Sequence, residues 1–287
     1  MARLILMSLP SDRTLIFIHL YKTAGTTLNR IIEWEYDVRR VCNVEPNFWR
    51  WSYQRIMRWP PSRLARMDVF KGHMPFGLHR LIPRPATYIT VLRKPVERAV
   101  SDYYWARSFK AHRHHRAALE LTLEDYFVHK HDHNWQTRIL AGPSSTDQLL
   151  PDECNADTLS TAKANLDRYF SVVGLTERFD ETLALLKIAF GWNIKRYRKF
   201  RVTKGRVPTE RVPASTREMI RAYEQYDLAL YDYAESLFEK AIAERREAVE
   251  AELQAIRGAK EMTPLEARYY FAASIARAAV CRIQAVV

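Results

Sequence analysis

The segment "FIHLYKTAGTT", residues 17–27, decides how the first part of this chain is expected to fold. An apolar, strand-like run ends at Lys22 and passes at once into a polar turn that opens a helix pattern. A loop of this kind, after a buried parallel strand, presents free backbone N–H groups and the positive end of a helix dipole to an anion. We therefore predict an anion-binding turn. Its contacting residues are expected to be Lys22, Thr23, Gly25, Thr26 and Thr27.

A plain strand-to-helix connection is the alternative interpretation of this turn, with Thr26 or Thr27 as the N-cap of the helix. The Walker A pattern GxxxxGK[ST] is absent, because Lys22 precedes the glycine instead of following a second one. Taken alone, the turn leaves both a phosphate site and a simple helix cap open.

Strand and helix patterns alternate along most of the chain. Three β-rich runs with few charges are typical of buried parallel strands, and each is followed by a helix pattern. These runs are "TLIFIHL" (14–20), "TYITVLR" (87–93) and "FSVVGL" (170–175). The alternation predicts a parallel sheet covered by helices.

The C-terminal part of the chain is predicted to be helical. One long helix pattern runs from about Ser215 to Gly258, and a final helix is expected from Pro264 with Thr263 as its cap. We divide the chain into an α/β domain, residues 1–240, and a helical extension, residues 241–287. The terminal helix is expected to pack either on the body of the chain or on a second copy of it, and the helices of this extension are therefore candidates for a contact between two copies.

Composition indicates a basic globular protein with an anionic partner. The 287 residues carry a formal net charge of +12 and are 47% hydrophobic, enough to bury a full core. Cys42, Cys154 and Cys281 form an odd set without metal-type spacing, so neither a disulfide framework nor a zinc site is expected. The first apolar run is too short to span a bilayer. We expect a cytoplasmic protein without a transmembrane segment.

A second segment, "VLRKPVERAVSDYY" at residues 91–104, adds a phosphate-type donor at the same edge of the sheet. It places Arg93 at the carboxyl end of a predicted strand and Ser101 about two turns into the next helix. The guanidinium offers a planar fork that fits a phosphate better than a surface ammonium does. Two strand ends thus carry donors suited to one anionic ligand.

Four ordered motifs resemble those of sulfotransferases of the heparan sulfate 2-O-sulfotransferase type (sulfotransferase family 2). They are "FIHLYKTAGTT", "KGHMPF", "YITVLRKPVERAVSDYY" and "NLDRYFSVVGLTERFDETLALL", and they span roughly residues 14–238. Enzymes of this family move a sulfuryl group from 3'-phosphoadenosine 5'-phosphosulfate (PAPS) to a hydroxyl. The resemblance implies such an enzyme, with PAPS as donor and a hydroxyl acceptor that we expect to be a carbohydrate. With the strand pattern, it predicts an α/β fold: a P-loop-type parallel sheet flanked by helices, with a helical C-terminal extension.

The resemblance also implies roles for individual residues. Residues 22–27 correspond to the loop that holds the 5'-phosphosulfate, and Arg93 and Ser101 resemble the pair that holds the 3'-phosphate. His73 matches the catalytic histidine of the family.

The chain departs from the family pattern at three positions. Tyr21 stands where proline is usual, Thr27 where serine is frequent, and Lys94 where aspartate usually follows the arginine. Because Lys94 cannot cap the helix at Pro95 as an aspartate would, we expect an effect on local helix stability more than on the chemistry.

His73 is the candidate general base, because a sugar hydroxyl is a poor nucleophile at neutral pH and neutral imidazole has a suitable pKa. The expected reaction resembles phosphoryl transfer, with in-line displacement and catalysis by positioning and charge stabilisation. Lys22 would stabilise the charge that develops on the bridging oxygen. No carboxylate follows the first strands in an arrangement that would hold Mg²⁺, so no metal is expected.

The basic stretch 197–213 is a candidate cover for the donor, as is the corresponding loop in the family. The donor-binding candidates there are Arg201, Thr203, Lys204 and Arg206. A solvated charged turn is the alternative interpretation.

Asn134 and Gln136, in "NWQTRILAG" (134–142), are candidates for binding acceptor hydroxyls, and a helix start with Asn134 as cap is the simpler alternative. The histidines within 112–115 and 129–133 lie in charged surroundings without a matched cysteine. We expect these two stretches to be solvated connectors and not metal sites.

Two other functions compete with sulfuryl transfer. A nucleotide-dependent kinase agrees with the strand-loop-helix unit but lacks the Walker A pattern and the carboxylates for Mg²⁺. A non-enzymatic protein that binds nucleic acid or another polyanion is supported by the net charge alone. We expect no nucleic-acid partner.

Overall fold

The computed structural model describes residues 13–44, 49–143, 153–194, 197, 205–258 and 264–286. Over these residues, five strands form one parallel sheet in the order β2-β3-β1-β4-β5. The strands are β1 (Thr14–Ile18), β2 (Val41–Val44), β3 (Val69–Gly72), β4 (Ala86–Leu92) and β5 (Phe170–Leu175). The predicted fold class, a parallel sheet flanked by helices with helices at the C-terminus, is confirmed.

The helices that flank the sheet follow in chain order. They are α1 (Gly25–Glu35), α2 (Trp49–Met57), α3 (Pro61–Ala65), α4 (Pro95–Ser108), α5 (His115–Glu120), α6 (Leu123–Lys130), α7 (Trp135–Ala141), α8 (Ala156–Tyr169), α9 (Phe179–Phe190), α10 (Ala214–Tyr223), α11 (Gln225–Ala243), α12 (Arg246–Gly258) and α13 (Pro264–Val286). The predicted start of α4 at Pro95 is confirmed. Helix α6 is capped by Thr122, whose hydroxyl accepts from the Asp125 N–H at 3.1 Å.

The central strand β1 shows why the sheet is covered on both faces. Side chains of a strand alternate between the faces, and all five side chains of Thr14–Ile18 are fully buried. A strand buried on both faces needs a nearly continuous apolar sequence, and "TLIFI" provides one. The core of the molecule therefore lies on both sides of β1.

The order of the strands places a ligand crevice at the carboxyl ends of β1 and β4. From β1 the chain builds the sheet outward to β2 and back to β3, and it then crosses to the other side of β1 to form β4. At such a switch in direction the loops after the two central strands diverge and leave a crevice. Ile18 lies opposite Gly72 on β3 and Thr90 on β4, so the residues that follow these strands share one level.

The predicted long helix from Ser215 to Gly258 is wrong, since the structure divides it into α10, α11 and α12. The first break lies at Glu224, which leaves helical geometry with φ −99° and ψ 27°. Its carboxylate is fully buried against Arg98 of α4, at 3.2 Å from Nη2. This inward ion pair explains why the helix does not continue.

The C-terminal helices belong to the same core as the sheet. Helix α12 packs on α9, and α13 packs on β2 and α1. Val249 and Cys281 on these helices are buried in the main apolar cluster. The predicted division at residue 240 falls inside α11, and the Thr263 cap lies outside the described residues. None of the described helices combines the length and apolar character needed to cross a bilayer.

Candidate active site

The turn after β1 has a tightly wound backbone. Lys22 and Ala24 both adopt the left-handed region, with φ of 65° and 61°, and α1 begins at Gly25. The Thr27 N–H donates to the Ala24 carbonyl oxygen at 2.9 Å. Thr23 is fully buried, and its hydroxyl donates to the Leu20 carbonyl oxygen at 2.9 Å. The side chain of Thr23 therefore holds the turn closed.

Gly25 is required by a neighbouring ring. A Cβ added at this position would lie 1.9 Å from Cδ2 of His19, far inside van der Waals contact. The sequence predicts that the glycine allows close approach to an anion; the structure shows in addition that it makes room for the His19 imidazole. That ring is buried and its Nδ1 lies 3.1 Å from Nδ2 of Asn29.

His73 follows β3 directly and lies beside the turn. Its Nδ1 is 2.6 Å from the carbonyl oxygen of His19. Because a carbonyl oxygen can only accept, Nδ1 carries the proton of the neutral imidazole, which makes Nε2 its basic nitrogen. Gly72 holds φ 129°, and a Cβ there would lie 2.3 Å from the Val44 carbonyl oxygen, so the chain can turn into His73 only through glycine.

Aromatic rings enclose His73. Its ring stacks on Tyr21 at a centroid distance of 3.9 Å and on His19 at 4.3 Å. Trp135, at the start of α7, lies 5.8 Å from the Tyr21 ring. Burial raises the pKa of the Tyr21 hydroxyl, which therefore stays neutral at physiological pH. His73 thus sits in a wall made largely of aromatic rings.

Arg93 connects the end of β4 to the turn after β1. Its Nη1 donates to the Lys22 carbonyl oxygen at 3.0 Å, and its Nη2 donates to Glu97 at 3.2 Å. Arg206, the first charged residue described after the gap at 198–204, also bonds Glu97. The structure therefore brings together Arg93, predicted from sequence, and one residue of the predicted basic cover.

The charges around Glu97 indicate a site that accepts an anion. Burial opposes ionisation of Glu97, but hydrogen bonds from Thr209 and Arg206 and the charges of Arg206 and Arg93 hold its pKa below the usual value. Burial and the nearby Arg206 lower the pKa of Arg93. Among the described residues, Nε of Arg93 and Nε of Arg206 are buried without a hydrogen-bond partner. Two orphaned guanidinium donors side by side fit a bound phosphate.

One side of α4 borders this site. Glu97, Ser101 and Trp105 follow each other at four-residue spacing and so lie on the same side of the helix. Ser101, the predicted partner of the 3'-phosphate, is buried. The Nζ of Lys22 lies 4.7 Å from the centroid of the Trp105 ring. The side of α4 that carries Ser101 thus reaches from the Arg93 cluster to the Lys22 ammonium.

Gln136 has a role different from the acceptor binding that the sequence suggests. It is fully buried, its Oε1 accepts from the Arg93 N–H, and its Nε2 donates to the Arg93 carbonyl oxygen. Both polar atoms of the side chain are therefore used to hold the backbone of Arg93. Gln136 is a positioning residue for that arginine.

Asn134 likewise supports the site from behind. Its Oδ1 accepts from the Tyr226 and Asp227 N–H groups, and its Nδ2 donates to the Tyr223 carbonyl oxygen. The predicted role in binding acceptor hydroxyls does not fit these contacts. Asn134 does precede α7, as the simpler alternative predicts, but its side chain caps α11 instead of its own helix.

A buried ionic cluster beneath α7 was not predicted from sequence. Arg98, fully buried, bonds Glu224 and His131, and it lies 3.7 Å from Asp227. Asp227 accepts from the Gln136 N–H and from both the N–H and the hydroxyl of Thr137. The stretch around His131, expected to be a solvated connector, is thus partly core. The role of His19 was not predicted either. A sequence signal for it was available, because a histidine directly follows both β1 and β3.

The remaining predicted site residues lie partly inside and partly outside the described part of the chain. Thr26 is partly exposed and Thr27 is buried in the first turn of α1. Arg201, Thr203 and Lys204 lie outside the described residues. Over the ranges that the structure describes, no group of three or more His, Cys, Asp or Glu side chains could hold a metal ion.

Known proteins resemble this chain in sequence. A galactose-3-O-sulfotransferase 3 of Bos taurus is 26% identical over 272 residues, which cover 88% of this chain and 63% of that protein. A heparan-sulfate 6-O-sulfotransferase 2 of Danio rerio is 26% identical over 307 residues, covering 88% of this chain and 65% of that protein. The chain spans less than two thirds of the length of these curated relatives.

A solved structure, mouse sulfotransferase SULT7A1 complexed with PAP, aligns with a TM-score of 0.34 and 11% identity over 76% of this chain and 66% of that chain. This likeness is too weak to bear on the site. The family model for galactose-3-O-sulfotransferase matches residues 5–266. The predicted resemblance to sulfotransferases is confirmed, but the matching model is not that of the heparan sulfate 2-O type. The chain belongs to the galactose-3-O-sulfotransferase family.

Proposed function

We propose that this protein is a sulfotransferase that moves a sulfuryl group from PAPS to a hydroxyl of a carbohydrate. The observation that carries the proposal is the convergence of two side chains on the short turn that carries Lys22. Arg93 bonds the backbone of Lys22 at 3.0 Å, and His73 bonds the backbone of His19 at 2.6 Å. The Arg93 guanidinium and the His73 imidazole therefore both contact the segment 19–24, which carries the Lys22 ammonium.

The donor would be held by residues of two strand ends. The N–H groups at the start of α1 and the side chain of Lys22 suit the 5'-phosphosulfate. Arg93 and Ser101 suit the 3'-phosphate, with Arg206 as a second guanidinium. The orphaned Nε atoms of Arg93 and Arg206 support this assignment, because a buried donor without a partner is costly unless a ligand satisfies it.

The chain's own residues supply the acid-base and charge chemistry. PAPS, when bound, supplies a sulfuryl group with a good leaving group. Nε2 of His73 takes the proton of the acceptor hydroxyl while the hydroxyl oxygen forms the new bond to sulfur. The Lys22 ammonium stabilises the negative charge left on the phosphate oxygen when the old sulfur–oxygen bond breaks. The Nδ1 bond to His19 keeps the imidazole in the required tautomer.

The acceptor we propose is the 3-hydroxyl of a galactose residue. The matching family and the bovine relative carry this activity in their names, whereas the zebrafish relative is named for heparan sulfate. The two names share a sugar hydroxyl. The general proposal is therefore that the acceptor is a sugar hydroxyl, and the more specific proposal is that it is the 3-hydroxyl of galactose.

Nucleotide binding tests the donor. The product 3'-phosphoadenosine 5'-phosphate (PAP) is expected to raise the melting temperature through mass action, and ATP to raise it much less, since only PAP places a phosphate on the 3'-oxygen. Arg93→Ala should abolish the difference between the two nucleotides. Equal protection by PAP and ATP in the unchanged protein would contradict the proposal.

A transfer assay tests the reaction. Radiolabelled PAPS is offered with a β-galactoside, a desulfated heparin oligosaccharide and a phenol, and label is expected in the β-galactoside. His73→Ala should lower kcat by about 10²–10⁴-fold, the range for loss of a general base, while PAP still binds. His129→Ala, at an exposed position of α6, is the matched control. Label transfer that survives His73→Ala would remove the assigned base.

A further inference from the structure

Trp105 lies at the boundary between the donor site and the base. It follows Ser101 by one turn of α4, and the Lys22 ammonium rests 4.7 Å from its ring centroid. Lys22 in turn follows Tyr21, whose ring stacks on His73. A group that lay on the Trp105 ring in place of the ammonium would therefore occupy the present position of the group that we assign to the leaving oxygen.

The Lys22 ammonium cannot serve the Trp105 ring and the leaving oxygen at the same time. On the ring it is held by a cation–π contact with a neutral group. A bound phosphosulfate offers full negative charge, and charge-assisted hydrogen bonds are stronger than contacts with a neutral partner. Because the lysine stem is long and flexible, binding of the donor is expected to draw the ammonium off the ring.

The surroundings of Trp105 favour an uncharged ligand. Phe109 stacks on the indole at a centroid distance of 5.5 Å, and His112 meets it edge-on at 4.6 Å. Burial lowers the pKa of His112 against the opposing charge of Asp102, and the nearby positive charges, with Lys22 among them, lower it further. Arg113 is paired with Asp132 at 2.7 Å. The residues around Trp105 are thus mainly aromatic, and the charge of Arg113 is already balanced by Asp132.

Arg107, in the last turn of α4, is also engaged within the protein. It donates to the Tyr103 hydroxyl at 3.1 Å and to the Ala118 carbonyl oxygen at 2.6 Å. Because the described arginines beside this aromatic face, Arg107 and Arg113, are already engaged, the face suits the C–H face of a pyranose ring better than it suits a sulfated or carboxylated one.

We propose that Trp105 is the platform on which a neutral acceptor sugar stacks, and that Lys22 covers this platform until the donor is bound. The inference rests on the proposed sulfotransferase function and adds to it an acceptor subsite and an order of binding. Donor binding moves the ammonium to the phosphosulfate, exposes the indole, and so allows the sugar to enter second.

Substitution of Trp105 tests the platform, with lactose, a neutral disaccharide ending in galactose, as the probe. Trp105→Ala is expected to raise the KM for lactose at least tenfold with the affinity for PAP unchanged within twofold, and Trp105→Phe should restore most of the loss. Trp51→Ala is the matched control, because the guanidinium of Arg55 lies 4.7 Å from its ring in α2. An unchanged KM for lactose, or a loss of PAP affinity in Trp105→Ala, would overturn the platform.

Calorimetry tests whether Lys22 blocks the Trp105 platform and whether the donor binds before the sugar. The unchanged protein should bind lactose at least tenfold more tightly in the presence of saturating PAP than in its absence. Lys22→Ala should bind lactose without PAP as tightly as the unchanged protein does with it. Equal lactose affinity with and without PAP in the unchanged protein would overturn the proposal that Lys22 covers Trp105. Failure to bind PAP at all would instead remove the proposed sulfotransferase function, so the two failures are distinguishable.

Discussion

The side-chain amide of Gln136 clamps the backbone of Arg93: its Oε1 accepts from the Arg93 N–H and its Nε2 donates to the Arg93 carbonyl oxygen, both at 3.0 Å. Two bonds to one residue fix both the position and the direction of the chain at the end of β4. The guanidinium that faces the donor site is therefore aligned from the α7 side of the molecule.

Gln136→Leu is expected to weaken PAP binding at least tenfold and to lower the free energy of unfolding by about 1–3 kcal/mol, because it leaves a buried N–H and a buried carbonyl unsatisfied. Calorimetry with PAP and urea unfolding measure the two effects. Asn165→Leu is the control, since Asn165 bonds the carbonyl oxygens of Leu140 and Ala141 at the other end of α7. Equal loss of PAP affinity in both variants would argue against the clamp.

Arg98→Met is expected to lower the free energy of unfolding by about 3–5 kcal/mol, because it leaves the buried carboxylates of Glu224 and Asp227 without their cation. Urea unfolding measures the loss. Arg116→Met, which removes an exposed pair with Glu120, should cost less than about 1 kcal/mol. A similar cost for the two variants would show that the buried cluster is not required.

Asp102 should contribute a pH-dependent part of the stability. Burial opposes its ionisation, but the hydrogen bond from His131 and the charge of Arg98 lower its pKa to about 2. A folded-state pKa below the ordinary value of 3.8 means that this contribution is present above about pH 4 and is lost as the pH falls towards 2.

Asp102→Asn removes this contribution. The difference in unfolding free energy between the unchanged protein and this variant is expected to shrink by about 1 kcal/mol from about pH 5 to about pH 3. Urea unfolding across this range measures it. Asp232→Asn, at an exposed position of α11, is the control. Parallel pH profiles for the unchanged protein and Asp102→Asn would contradict the assignment.

Gly25→Ala is expected to lower the unfolding free energy by about 1–3 kcal/mol and to weaken PAP binding, because the added Cβ collides with the His19 ring. Adding His19→Ala to the same protein should recover stability, since the second change removes the collision. Gly258→Ala, where a Cβ meets nothing within 4 Å, is the control. No recovery in the double variant would mean that the ring is not the obstacle.

The parts of the fold that were predictable are those with strong local signals. β1, β4 and β5 have apolar runs, and Pro95 marks the start of α4. The strands β2 and β3 were missed because they are short and carry the polar Asn43 and Lys71. Lys71 is buried, with its ammonium 2.9 Å from Glu33 and 3.0 Å from Asn43. Any prediction rule that considers only the local segment places a lysine on the surface, because lysine is rarely buried unless it is paired.

The same distinction applies to the site. The turn at 22–27, Arg93 and His73 follow from strand ends and motifs, and the structure brings them together. The clamp by Gln136 and the break at Glu224 depend on partners far away along the chain, which no local pattern can reveal. The cytoplasmic location, the pairing of two copies through the C-terminal helices and the donor contacts of Arg201, Thr203 and Lys204 stay predictions.

The side-chain oxygen of Asn134 accepts from the N–H groups of Tyr226 and Asp227, which lie 92 and 93 positions further along the chain. A ribosome completes the first four strands long before it reaches Glu224, so the nascent chain carries Arg98 with neither of its two C-terminal counterions. The buried ion pairs of Arg98 can therefore form only after the segment around Asp227 has been synthesised.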